Sequence, residues 1–326
     1  MNPEHTTSVV YPIQPTSIAQ VLPVTRVLQS RGSGRLWLGQ SMGLETHQIF
    51  AALAGSGVRL PFGTSVALSP LRHPYDAAVQ ARSVAQLTGL PFVAGVGPGA
   101  REFQRMVSRD GYAKPVSAVR DYLTSMRELL AGRPVDADLD EHSVHAALPP
   151  MTTPPVELGL GVLRPAMARA AGQVADVAIT WLTPPSYVDD ILLPQIRAGA
   201  AEAGRAAPRV ATVVHVAVAR AGRDLRAIAR SATSSHLSSG HYTTMLKQAG
   251  IPADPADPDT GAQLLLDSGT FVTGSPEQIA DGLDGYRKSG VDEVILNLCG
   301  VLTVCGLGAA MTDLRSILAA VDGRRD

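Results

Sequence analysis

The chain has 326 residues, of which 45% are hydrophobic and 17% are charged, and its 28 Lys and Arg residues face 29 Asp and Glu residues. A formal net charge of -1 lacks the cationic surplus of a nucleic-acid-binding protein. No apolar run reaches the roughly 18 residues that span a bilayer, and the first residues lack the pattern of a secretory signal. With two cysteines, Cys299 and Cys305, the composition predicts a compact cytoplasmic protein whose partner is a small molecule or another subunit.

Short apolar runs alternate with helix-length segments along the chain. Eight runs are typical of strands, at 8–13, 35–39, 59–68, 91–95, 156–160, 177–179, 209–218 and 293–298. Helices are predicted between most of them, over 17–30, 44–54, 75–88, 116–130, 165–171, 186–203, 275–288 and 312–321. The start at Ser275 is well marked, because Pro276 suits the first helical position and Gln278 completes a capping box.

This alternation predicts an α/β fold with parallel strands, because a helix must return the chain between them. Eight such units in about 300 residues are typical of a (β/α)8 TIM barrel. A doubly wound sheet is the alternative, but its glycine fingerprint at the first helix is missing. We therefore expect a single barrel domain over 1–326, with loop insertions near 132–153 (a loop or small hairpin) and 233–268. The glycines of CGVLTVCGLG at 299–308 are expected to prevent a continuous helix there.

Four stretches carry further patterns in chain order, namely RLPFGTSVALSPLRHP at 59–74, SVAQLTGLPFVAGVGPG at 83–99, ELGLGVLRPAMARAAGQVADVAI at 157–179 and FVTGSPEQIADGLDGYRKSGVDEVIL at 271–296. Together they resemble the luciferase-like family of flavin- and deazaflavin-dependent oxidoreductases. The fourth stretch is the most specific, and the resemblance covers nearly the whole chain. It implies a barrel with a flavin-type cofactor at the C-terminal mouth, and often a homodimer.

The resemblance also implies positions for the cofactor. A non-prolyl cis peptide that backs the cofactor ring falls at Ser65-Val66. Gly95, Gly97 and Gly99 would let the chain pass close to the ring or its side chain. The turn at 162–167 would hold the phosphate at a helix N-terminus, with Arg164 adding charge; Leu163 and Met167 stand where many relatives have Ser or Thr.

The proton-transferring residues are less clearly marked. After the second strand the family often has an acid or a histidine, but this chain has Gln40, which can donate a hydrogen bond to a carbonyl or to the ring. Glu102 stands near the position of the family's glutamate after the fourth strand. His241 and Tyr242 lie in the second insertion, which should cap the cofactor. His215 lies within the seventh strand and is expected to be a hydrogen-bonded histidine of the core or of the barrel lining. The cysteine and histidine spacings predict no metal site.

The leading hypothesis is an F420H2-dependent reductase that transfers hydride to a polarised C=C or C=N bond of a small-molecule or peptide natural product. An acid-poor mouth suits reduction better than alcohol oxidation. A reduced-FMN-dependent monooxygenase is the alternative on the same scaffold, although the chain is short for one. A catalytically idle partner subunit is the alternative of another class.

Overall fold

A computed structural model describes residues 6–108 and 110–324 of the chain. Among these residues, eight parallel strands form the closed barrel of a (β/α)8 fold, with helices on the connections. The predicted fold class is therefore confirmed. Two compact units make up the chain: a first unit of residues 14–179 and 195–209, and a second unit of residues 1–13, 180–194 and 210–326. Elements are numbered along the whole chain.

The first unit holds the strands β2 Leu36–Leu38, β3 Phe62–Thr64, β4 Ala67–Leu68, β5 Phe92–Gly97, β6 Val135–Asp138, β7 Ser143–Ala146, β8 Val156–Gly161 and most of β9 Val177–Trp181. Its helices are α1 Ile18–Arg31, α2 Thr46–Gly55, a 3-10 turn Ser69–Leu71, α3 Pro74–Thr88, α4 Arg101–Val107, α5 Pro115–Leu130, α6 Pro165–Val174 and most of α8 Leu193–Glu202. Strands β2, β3, β5, β8 and β9 pair in parallel in that order. Their carboxyl ends therefore lie at one edge of the sheet.

Apolar packing beneath that edge fixes the strands. Phe50 of α2 stacks on Phe62 of β3, with ring centroids 4.6 Å apart, and meets Phe92 of β5 edge-on at 5.8 Å. All three side chains are fully buried. Such aromatic packing adds to the free energy gained from burying the rings, so the loops that follow β2, β3 and β5 start from rigid positions.

The 132–153 segment contains an antiparallel hairpin of β6 and β7, in which Val135 lies opposite Ala146. His73 caps the start of α3: its Nδ1 accepts from Tyr75 N–H, and its Nε2 lies 2.8 Å from the Ser143 carbonyl oxygen. The histidine of the motif at 59–74 thus joins a helix start to the hairpin.

The second unit holds the strands β1 Thr6–Val10, β10 Arg209–Val218, β11 Val272–Gly274 and β12 Glu293–Asn297. Its helices are α7 Pro185–Tyr187, a π-turn Val188–Leu192, α9 Leu225–Leu237, α10 Gly240–Gln248, α11 Pro258–Asp267, α12 Pro276–Lys288 and α13 Cys299–Asp322. Strand β12 pairs in parallel with both β1 and β10. The short β11 pairs in parallel with Val216–Val218 of β10. The capping box predicted at Ser275 is present in full.

One segment of the second unit differs from expectation, and one agrees with it. Residues 233–268, expected as a loop insertion, lie largely in the end of α9 and in α10 and α11. The glycine-containing stretch after β12 is helical on both sides of Gly306, whose φ of 83° interrupts α13. Helix α13 is long and apolar enough to cross a membrane. It packs on α9 and α12, and Gly300 lies against the backbone of Ile228.

Candidate active site

The loop between β3 and β4 shapes the strand edge of the first unit. The peptide bond between Ser65 and Val66 is cis, which confirms the prediction for this bond. Ser65 N–H donates to the Leu38 carbonyl and Gln40 N–H to the Val66 carbonyl, at 2.9 and 3.0 Å. The Ser65 side chain is 7% exposed, and its Oγ has no hydrogen-bond partner among the described residues. This hydroxyl is therefore available to a bound molecule.

The glycines of β5 make room for this loop. A Cβ atom at Gly95 would lie 1.9 Å from the Thr64 carbonyl oxygen, and one at Gly97 would lie 2.8 Å from Cγ2 of Val66. Thr64 Oγ1 also donates to the Gly95 carbonyl at 2.7 Å. Glycine at 95 and 97 is thus explained by close packing around the β3–β4 loop, while a direct contact of either residue with a cofactor stays a prediction. Gly99 follows with a φ of 70° in the left-handed region.

Gln40, which follows β2, is held by its neighbours. Its Oε1 accepts from Leu68 N–H at 3.2 Å and from Arg72 Nη1 at 3.1 Å, and its Nε2 donates to the Ser41 carbonyl at 2.9 Å. One N–H of the amide is left over, because a primary amide has two. Gln40 therefore fixes the β3–β4 loop and retains one donor for a bound molecule.

Arg72 also pairs with Glu45, whose carboxylate lies 2.5 Å from the guanidinium and caps α2 through Gln48 N–H. Burial acts to raise the pKa of Glu45, but the hydrogen bond and charge of His47, the Gln48 amide and the Arg72 charge outweigh it and lower that pKa to about 2. Glu45 is thus ionised at neutral pH and its charge is matched by Arg72. In this network the carboxylate is committed to ion pairing, so it is poorly suited to take a proton from a substrate.

Glu102 lies in the first turn of α4 and is exposed. The neighbouring Gln104, which the sequence analysis did not single out, is buried and donates from Nε2 to the carbonyls of Pro98 and Gly99, both at 3.1 Å. Its Oε1 accepts from Tyr112 N–H. Gln104 therefore holds the turn that follows β5. A glutamine in a seven-residue helix gives no sequence signal for this role.

The N-terminus of α6 follows β8. Arg164 is its N-cap, and no side chain caps the first turn. The Arg164 side chain is exposed and forms no ion pair with the described residues, while Leu163 and Met167 are half-buried. Since Pro165 has no N–H, the amides of Ala166 and Met167 are the donors available at this helix start. Open amides beside an arginine suit a phosphate group.

A second group of candidate residues lies in the second unit. We call Trp181, His215, His236, Tyr242 and Phe271 the imidazole–indole cluster. Trp181 ends β9 and His215 lies near the carboxyl end of β10, while His236 lies in the last turn of α9 and Tyr242 in the first turn of α10. The rings of Trp181 and His236 are stacked at 5.6 Å, as are those of His215 and Phe271 at 5.7 Å. Tyr242 meets His236 edge-on, with centroids 4.9 Å apart.

His215 is 1% exposed, as expected for a core residue, but neither ring nitrogen has a hydrogen-bond partner among the described residues. The expectation of a hydrogen-bonded histidine is therefore wrong, because its neighbours are aromatic rings and a second imidazole. Burial, with a smaller effect of His236, lowers the pKa of His215 to about 3. Burial also lowers the pKa of His236 to about 4 and raises that of Tyr242. All three side chains are neutral at pH 7.

The predicted residues His241 and Tyr242 point to different sides of helix α10. Tyr242 packs into the cluster, whereas His241, one residue earlier on α10, is exposed. Neighbouring helical residues point about 100° apart. His236 and Trp181 also belong to the cluster. The residues of the cluster are far apart in the sequence, so the sequence alone could not indicate that they lie together.

The barrel fold and the cis peptide at Ser65-Val66 are those of the luciferase-like oxidoreductases. The family model of the luciferase-like monooxygenases matches residues 3–293, and the chain belongs to that family. A curated relative, 4-hydroxyprotoasukamycin monooxygenase from Streptomyces nodosus subsp. asukaensis, is 30% identical over 224 residues, which are 63% of this chain. The chain spans 60% of that relative's length.

Solved structures with the same fold use both types of cofactor. The coenzyme F420-dependent tetrahydromethanopterin reductase from Methanopyrus kandleri has a TM-score of 0.77 and 16% identity, over 99% of this chain and 100% of that one. The oxygenating constituent of 3,6-diketocamphane monooxygenase from Pseudomonas putida, in complex with FMN, has a TM-score of 0.71 and 14% identity, over 98% and 99%. A flavin or deazaflavin cofactor is therefore supported.

The residues of the first unit fit such a cofactor. The buried Ser65 hydroxyl has no partner among the described side chains and backbone groups, and the start of α6 combines open amides with an arginine that forms no ion pair in the described chain. The first would suit a polar ring edge and the second a phosphate.

Proposed function

We propose that this enzyme is an F420H2-dependent reductase acting on a polarised C=C or C=N bond of a small-molecule or peptide natural product, such as a dehydroamino acid. This proposal rests on the side chains of the residues that follow β2. Gln40 is a neutral amide, and Glu45, the carboxylate that shares its partner Arg72, is held in an ion pair with that arginine. A reaction that begins by removing a proton from an alcohol needs a base at such a position, whereas reduction does not.

The chain's own residues would bind and orient the reactants. Arg164 and the amides of Ala166 and Met167 would hold the cofactor phosphate, and the Ser65-Val66 peptide would lie behind its ring. Gln40 would donate its remaining N–H to the ring or to a substrate carbonyl. The reduced deazaflavin, when bound, supplies the hydride.

The four residues that were predicted to take part in proton transfer have different surroundings. Burial raises the pKa of the Tyr242 hydroxyl, so Tyr242 would donate a hydrogen bond but would release its proton only with difficulty. His241 and Glu102 are exposed, and either could reach a substrate only from the solvent side of its helix. Gln40 has no proton to lose at neutral pH. Tyr242 and Gln40 are therefore proposed as hydrogen-bond donors, and His241 and Glu102 as the candidates for the proton donor.

A reduced-FMN-dependent monooxygenase is the second candidate. It is supported by the 30% identical relative, which is a monooxygenase, and by the family itself. The two candidates use the same scaffold and differ in the cofactor, because a reduced flavin reacts with oxygen and a reduced deazaflavin does not.

Titration of the purified protein with F420 and with FMN distinguishes the candidates. We expect saturable binding of F420, and loss of the F420H2 signal when a conjugated unsaturated substrate is added without oxygen. Tight binding of FMN with substrate-dependent oxygen uptake would replace the reductase by the monooxygenase. Binding of neither cofactor would indicate an idle partner subunit.

Substitution of Arg164 tests the phosphate site. Arg164→Ala should weaken cofactor binding by about 1–3 kcal/mol, which is roughly 5- to 150-fold in Kd. Arg197→Ala is the matched control, since Arg197 is an exposed arginine of α8 in the same unit. Kd is measured by fluorescence titration with each cofactor. Equal affinities of the two variants would remove Arg164 from the site.

We also propose a homodimer located in the cytoplasm. Both cysteines are free thiols, as is common in a reducing compartment. Light scattering coupled to size exclusion measures the mass, and a monomer at all concentrations would contradict the dimer.

A further inference from the structure

The imidazole–indole cluster concentrates buried polar atoms that have no partner. Eight buried side-chain nitrogen or oxygen atoms of the described residues lack a hydrogen bond, and four of them belong to this cluster. They are Nε1 of Trp181, Nδ1 and Nε2 of His215, and Nδ1 of His236. A buried polar group without a partner costs about 1–3 kcal/mol, so four such groups in one place call for a ligand or ordered water.

The rings around these atoms determine the shape of the ligand. Two stacked pairs, Trp181 with His236 and His215 with Phe271, meet at steep angles: Trp181 and His215 are inclined by 75° with centroids 5.8 Å apart. Aromatic faces and edges favour a flat, conjugated group over a saturated chain. A ligand that matches these rings would therefore be planar.

The charges around the cluster determine whether its ligand can be charged. No Asp, Glu, Lys or Arg of the described chain is among the causes that shift the pKa of His215, His236 or Tyr242. Both imidazoles are neutral at pH 7, so each offers one N–H donor and one nitrogen acceptor, and the indole adds a second type of donor. A charged ligand would lose its hydration without gaining an opposite charge, whereas a carbonyl or amide would gain hydrogen bonds.

We propose that the imidazole–indole cluster is a binding subsite for a neutral, planar, conjugated carbonyl group of the substrate, such as an unsaturated amide. The indole N–H of Trp181 and an imidazole N–H donate to the carbonyl oxygen, and an imidazole nitrogen accepts from the amide N–H. The identification of this group as part of the substrate rests on the proposed function, while the binding itself does not.

Cinnamamide is a suitable probe, because it is a neutral, planar, conjugated amide. Cinnamate has the same shape with a negative charge, and hydrocinnamamide keeps the amide without the conjugated bond. The chain has two tryptophans, so the indole N–H region of a ¹H–¹⁵N spectrum holds two signals. Trp181→Phe assigns them, and the Trp37 signal, from the core of the first unit, serves as an internal control.

We expect cinnamamide to move the Trp181 indole signal saturably and to leave that of Trp37 in place. Cinnamate should cause at most a small shift, and hydrocinnamamide should bind more weakly. His215→Phe and His236→Phe keep the ring volume and remove the nitrogens, and each should weaken cinnamamide binding by about tenfold or more. His145→Gln, at an exposed histidine of the β6–β7 hairpin, is the control and should bind normally.

The titration is run on the full chain, both without cofactor and with saturating F420 or FMN. A static Trp181 signal in all samples would overturn the subsite and leave ordered water as its content. Equal binding of cinnamate, or full affinity in both phenylalanine variants, would overturn it as well. Cinnamamide binding in a protein that binds neither cofactor would support the subsite while the proposed function fails, so the two failures are distinguishable.

Discussion

Lowering the pH from 7 to 5 should destabilise the wild-type protein by up to about 4 kcal/mol through two buried histidines. Burial lowers the pKa of His215 to about 3 and that of His236 to about 4, from an ordinary 6.5. As the pH falls below 6.5, the unfolded chain therefore binds protons that the folded chain does not. The stabilisation is complete above pH 6.5 and is lost as the pH falls towards the folded pKa values, at about 1.4 kcal/mol per pH unit for each histidine.

Urea unfolding at pH 7, 6 and 5 measures this dependence. Glu45 changes little over the same interval, because its pKa is about 2 in the folded state and 4.5 ordinarily. His215→Phe and His236→Phe should each remove a large part of the slope. The double variant should keep a smaller slope to which His142 contributes, because burial and the charge of His73 lower the pKa of His142. His145→Gln is the control: hydrogen bonds that His145 donates to Asp136 and Asp138 raise its pKa, so its loss should not flatten the curve. An unchanged slope in the double variant would show that other groups cause the acid sensitivity.

Local signals in the sequence were sufficient for most of the barrel. Strand 209–218 was predicted with its observed bounds, because ten residues rich in valine are typical of a buried strand. The helix from Pro276 was predicted from its capping box, since capping depends on three neighbouring residues. The helices α10 and α11 were missed. Both helices are short and are separated by turn-forming Asp-Pro pairs, and packing against α9 supplies stability that periodicity does not reveal.

The features of the candidate site could likewise be predicted only in part. Resemblance located the cis peptide at Ser65-Val66, because a motif specifies a local backbone feature. The partners of a side chain depend on residues far along the chain. His215 meets Phe271, 56 positions later in the numbering, and Gln40 meets Arg72. No spacing rule predicts such contacts, so the lack of hydrogen bonds at His215 and the engagement of Gln40 could be recognised only in the structure.

Gly95→Ala should be the most damaging single substitution at the strand edge of the first unit. The added Cβ would lie 1.9 Å from the Thr64 carbonyl oxygen and 2.5 Å from Cδ1 of Ile179. The isoleucine can rotate, but the carbonyl belongs to β3, whose backbone is fixed by pairing with β2 and β5. We expect a loss of at least about 3 kcal/mol in the free energy of unfolding, since overpacking against backbone forces the strands apart.

The same substitution tests how the glycines serve the cofactor. Displacing Thr64 also displaces Ser65 and Val66, so any Gly95→Ala protein that folds should bind cofactor more weakly even at temperatures where it is fully folded. Gly285→Ala is the matched control, because Gly285 lies in α12 with no atom within 4 Å of an added Cβ; it should be neutral or stabilising by about 0.5–1 kcal/mol. Urea unfolding and cofactor titration are measured on both variants. A Gly95→Ala protein as stable as the Gly285→Ala control would mean that β5 does not pack against Thr64 as closely as the geometry requires. Normal stability with weakened cofactor binding would instead indicate that position 95 contacts the cofactor directly.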